Sequence, residues 1–86
     1  MSTNQDNKPI SHWRMELNNI VQKNKALGEV KWDKDYSPHG HQGPWTAVVR
    51  INGVEYGTGQ GSSKDAAREV AAKMAYEEVV RRLRGE

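Results

Sequence analysis

A chain of 86 residues has room for one small domain with one core, and a domain of that size buries only about 60% of its unfolded-chain surface. It contains no cysteine, so neither a disulfide framework nor a cysteine-containing zinc site can reinforce that core, and burial of Trp13, Trp32, Trp45 and the aliphatic residues has to suffice. The formal charge of +2 permits a polyanionic partner without demonstrating one, and no stretch approaches the roughly 18 apolar residues of a membrane span.

Residues 1–9 are polar after Met1 and read as a disordered leader ending at Pro9, which leaves residues 10–84 for the domain. Ser11 is the expected N-cap of a first helix ending near Lys25. Along it Trp13, Leu17, Ile20 and Val21 share one face of a 3.6-residue period, with Arg14, Asn18, Asn19, Gln22 and Lys23 outside. After Gly28 the period changes to two: Val30, Trp32 and Tyr36 alternate with Lys31, Asp33 and Asp35, as in a half-buried strand. Ser37 to Pro44, rich in glycine and proline, is a loop. Trp45, Ala47, Val49 and Ile51 resume the alternation, Asn52-Gly53 is a hairpin turn, and Val54-Glu55-Tyr56 is the return strand. From Ser63 a long helix carries Ala67, Ala71, Ala72, Ala75, Tyr76, Val79 and Leu83 as one stripe, small enough for close approach to a sheet. The predicted class is α+β, ordered α-β-β-β-α, with two helices packed on one face of a three-stranded antiparallel sheet.

The segment GTGQGSSKDAAREVAAKMA, Gly57 to Ala75, has the look of a phosphate-gripping loop at a helix start. A nucleotide loop fails on spacing, because G-x-x-x-x-G-K-[ST] is absent and no parallel strand follows the helix. Another reading has Gly57 and Gly59 bend the strand away while Ser62 or Ser63 caps the helix. That reading leaves Lys64 and Arg68 unexplained, since cations at a helix N-terminus oppose its dipole unless an anion shares the site. The remaining reading is a polynucleotide backbone.

From Ile10 to Leu83 the chain resembles the double-stranded-RNA-binding domain. GTGQGSSKDAAREVAAKMAY is similar to that family's second-helix signature, G-x-G-x-[GS]-x-S-K-K-x-A-K-x-x-A-A-x-x-A-L. LNNIVQK resembles the first-helix pattern L-N-E-L-x-Q-K, and HQGPW the loop pattern H-x-x-x-F. The resemblance implies shape recognition of an A-form duplex over about 16 base pairs, through two minor grooves and the major-groove phosphates between them. It assigns minor-groove contacts to Met15, Asn18, Asn19 and Gln22 on the first helix and to His39 and His41 in the loop. Phosphate contacts fall to Ser63, Lys64 and Arg68. Asp65 departs from the pattern by standing where the family presents a lysine, which is expected to weaken binding by about 1–3 kcal/mol.

The expected partner is therefore double-stranded RNA, bound with little sequence preference by an intracellular, non-catalytic module with no cofactor, membrane or small-molecule substrate. His12, His39 and His41 form only a loose trio without cysteine, a poor metal set. No carboxylate pair or nucleophile beside a base suggests catalysis. The alternative is a module of the same fold that has lost RNA affinity and serves as a protein-interaction or homodimerisation surface. Asp65 motivates it, as do Val70 and Met74, one turn apart and away from the alanine stripe.

Overall fold

The computed structural model describes residues 12–33 and 44–85. Helix α1 spans Trp13–Lys23, with Leu17 and Val21 buried one turn apart as the apolar period requires. It stops slightly before the expected Lys25, because the Asn24 side-chain amide donates to the Ile20 carbonyl at 2.8 Å and the chain tightens into a 3-10 turn, Lys25–Leu27.

Strand β1 covers Val30–Trp32, β2 covers Trp45–Ile51 and β3 covers Val54–Gly61, in the order β1-β2-β3 with both pairings antiparallel. On the central strand Ala47, Val49 and Ile51 are completely buried, while Thr46, Val48 and Arg50 are half-buried on the opposite face. Asn52 and Gly53 close the hairpin at φ 54° and 79°, and Ile51 sits opposite Val54. Positive φ at both turn residues is what a two-residue hairpin with right-handed strand twist requires.

The return strand does not end at Tyr56. It runs on through Gly57, Gly59 and Gly61 to Gly61, still paired with β2, so these glycines neither leave the sheet nor form a loop. A register shift leaves Tyr56 between the pairs Arg50↔Glu55 and Val49↔Gly57, and this bulge puts Tyr56 and Gly57, adjacent in sequence, both in the interior. Beyond the bulge the glycines face helix α2, Lys64–Leu83. A Cβ on Gly57 would lie 2.3 Å from the Ala71 carbonyl oxygen, and one on Gly59 would lie 2.4 Å from the Ala71 nitrogen and 2.6 Å from the Ala67 oxygen. The helix backbone rests directly on the strand.

Both helices cover one face of the sheet. The core joins Leu17 and Val21 of α1 to Ala47, Val49 and Ile51 of β2 and to Ala67, Ala71, Ala72, Ala75 and Val79 of α2. The three tryptophans, expected to fill this core, pack around its edge and are only partly buried. Leu83, expected on the buried stripe, is exposed in the last turn of α2. Tyr36, the loop after it and residues 1–9 lie outside the described residues.

Gly59→Ala is expected to lower stability by about 3 kcal/mol, the upper end of an overpacking cost, because its neighbours are backbone atoms that cannot rotate away. Gly53→Ala meets no atom within 4 Å and is expected to cost only about 1 kcal/mol, from its positive φ. Urea unfolding midpoints of the two variants check the contrast.

Candidate nucleic-acid interface

The N-terminus of α2 is built by Ser63, whose backbone is extended and whose Oγ accepts from the Ala66 amide at 3.1 Å. The cap uses an acceptor lone pair of the hydroxyl and leaves its O–H as a donor. Lys64 and Arg68 follow on the first turns. Lys64 Nζ lies 5.5 Å from the centre of the Trp45 ring, and the Arg68 guanidinium carbon lies 5.6 Å from that of Trp32. Both distances fall within the range over which an aromatic face attracts a cation. The rings thus provide part of what the sequence reading sought in an anion: they help to hold two positive charges against the helix dipole.

Asp65 is the acid of the first turn, where the dipole favours negative charge. It faces α1, with Oδ1 3.4 Å from Arg14 Nη1. One turn further, Glu69 is the only buried charged residue among the described residues, with 3% of its surface exposed. Its Oε1 accepts from the Trp13 amide at 2.8 Å and from the Arg14 amide at 3.3 Å, while Oε2 accepts from Arg14 Nε. A carboxylate on α2 therefore caps the N-terminus of α1.

His12 occupies the N-cap position without a side-chain cap bond, and Ser11 lies outside the described residues. Sequence reading missed both Glu69 and Arg14. The available hint was an acid pair at i,i+4, Asp65 and Glu69, beside the alanine stripe, but its partner stands 55 positions away. The pairing raises the pKa of Arg14, chiefly through the hydrogen bond to Glu69 and against the effect of burial.

On the outer side of α1, Met15, Asn18, Asn19 and Gln22 are exposed together, at the spacing that places them on one helical face. Asn18 and Gln22 also line a depression of about 400 Å³ with Val21, Lys25, Gly28, Glu29 and Val30. The structure brings Arg14 of α1 beside the charged first turns of α2, and leaves Met15 exposed next to it in sequence. His39 and His41 lie outside the described residues.

At the far end of α2 the basic residues are largely matched by acids. Glu78 accepts from Arg81 at 2.6 Å and from Arg82 at 2.7 Å, and Arg82 also covers the Tyr56 ring at 4.6 Å. The hydrogen bond from Arg82 holds the Glu78 carboxyl below its usual range. No described helix is long and apolar enough to cross a membrane.

The family described as "Double-stranded RNA binding motif" matches residues 13–79. Ribonuclease 3 of Streptomyces coelicolor is 31% identical over 67 residues, which are 78% of this chain and 24% of that protein. The chain thus matches about a quarter of that relative's length. No solved structure matches at comparable significance.

Glu69→Ala is expected to lower stability by about 2–4 kcal/mol, because it removes the α1 cap and strips Arg14 of its buried partner. Asp65→Ala, at an exposed pair, is expected to change it by less than about 1 kcal/mol. Thermal and urea denaturation of both variants would show whether the two acids differ in this way.

Proposed function

The chain belongs to the double-stranded RNA binding motif family, and on that premise we propose that it binds duplex RNA by shape, with no chemical step of its own. The observation that carries this reading is the end of α2, where Ser63 caps the helix and Lys64 and Arg68 stand against tryptophan rings. Two cations beside an outward-facing amide donor set suit a phosphate backbone. In this reading Ser63, Lys64 and Arg68 contact phosphates across the major groove.

Met15, Asn18, Asn19 and Gln22 then meet one minor groove, where side-chain amides both donate to and accept from 2′-hydroxyls and base edges. His39 and His41 reach the next minor groove. Recognition through the 2′-hydroxyl and A-form shape discriminates against DNA and reads little sequence. The ribonuclease relative suggests one setting for such a module, as the RNA-holding part of a larger enzyme.

A second reading rests on Val70 and Met74, which are 36% and 47% exposed on α2. They would serve a protein contact, including one between two copies. Asp65 supports this alternative less than the sequence suggested, because it is paired with Arg14.

Titration into a duplex of roughly 20 base pairs, as RNA and as DNA of one sequence, separates the readings. The expected result is tighter RNA binding that weakens steeply with salt, with Lys64→Ala lowering the slope of log K against log salt by roughly one. Equal, weak binding to both duplexes by a protein that sediments as a dimer would favour the protein contact.

A further inference from the structure

Arg14 has more hydrogen-bonding capacity than its partners among the described residues use. A guanidinium carries five N–H donors in a planar fork. Among the described residues Nε donates to Glu69 and Nη1 reaches Asp65 at 3.4 Å, so the rest of the fork has no protein acceptor. The side chain is 36% exposed, and Asp65 beyond it is 78% exposed. Arg14 therefore lies partly at the surface where α1 meets the first turns of α2, against Asp65, the sequence neighbour of Lys64.

We propose that Arg14 is a further ligand for the phosphate backbone of bound RNA, delivered from α1 to the place on α2 where Asp65 stands. The inference rests on the RNA-binding reading above. Glu69 and Asp65 are positioning residues: the buried carboxylate fixes Nε and the helix start, and the exposed one draws the Nη edge toward the α2 N-terminus. An aspartate alone at this position would repel a phosphate. Paired with Arg14, it orients a cation whose planar fork matches two phosphate oxygens better than an ammonium does. The charges agree: Lys64 and Arg68 are balanced by Asp65 and Glu69, and Arg14 makes the cluster net positive.

The test compares wild type, Arg14→Gln, Lys64→Ala and Arg81→Gln on duplex RNA at several salt concentrations. Arg14→Gln is expected to weaken binding about tenfold and to lower the salt slope by about one, as for the loss of one phosphate contact. Arg81→Gln, at the far end of α2, is expected to leave both unchanged. Weaker binding at an unaltered slope would give Arg14 a purely structural role and overturn the proposal, as would unchanged binding. If wild type fails to bind duplex RNA, the RNA-binding reading falls and this proposal with it. If wild type binds and only Arg14→Gln is silent, the proposal alone falls. Should Arg14→Gln fail to fold, the guanidinium resonances of Arg14 in wild-type protein decide: they are expected to shift on RNA addition with the affinity of the complex, and their constancy would overturn the assignment.

Discussion

Backbone contact between α2 and β3 is the constraint from which the rest of the molecule follows. Gly57, Gly59 and Gly61 present no side chain, and Ala67, Ala71 and Ala75 return the smallest one available. At this separation the first turns of α2 lie low over the sheet, within reach of rings that project from β1 and β2. Lys64 and Arg68 can then rest against Trp45 and Trp32. A bulkier seam would lift the helix and carry both cations away from these rings. The same glycines that suggest a phosphate loop in the sequence act one layer beneath the surface, by setting the height of the helix that carries the charges.

The second constraint is electrostatic and sets the other helix. Glu69 has left water almost completely, which is tolerable only because two backbone amides and a guanidinium converge on it. All of these donors belong to the first turn of α1. The carboxylate thus ties the start of one helix to the side of the other, and the exposed amides of α1 inherit their place relative to the α2 cations from that tie.

Features determined by neighbours in sequence were legible in it. The Asn52-Gly53 turn, the Ser63 cap, the period of α1, that of α2 as far as Val79 and the alternation along β2 each depend on a few adjacent residues, and each is found where those residues stand. Features set by distant partners were misread or missed. Glycine has two opposite uses in a strand, to leave the sheet or to admit a close neighbour, and only the presence of Ala71 against Gly59 decides between them. Asp65 read as a plain repulsive substitution because nothing nearby announces Arg14. Of the candidate contacts, Met15, Asn18, Asn19 and Gln22 are exposed on α1 and Lys64 and Arg68 stand on the first turns of α2, while the histidine loop lies outside the described residues.

A seam of glycine and alanine also has a calorimetric consequence. The heat-capacity increment of unfolding follows the apolar area newly exposed to water, and close backbone packing gains its contacts with little such area. For a domain of this size the increment should therefore be small and the stability curve broad and shallow. Along this seam the contact is van der Waals at short range, and stability should change little on moderate cooling.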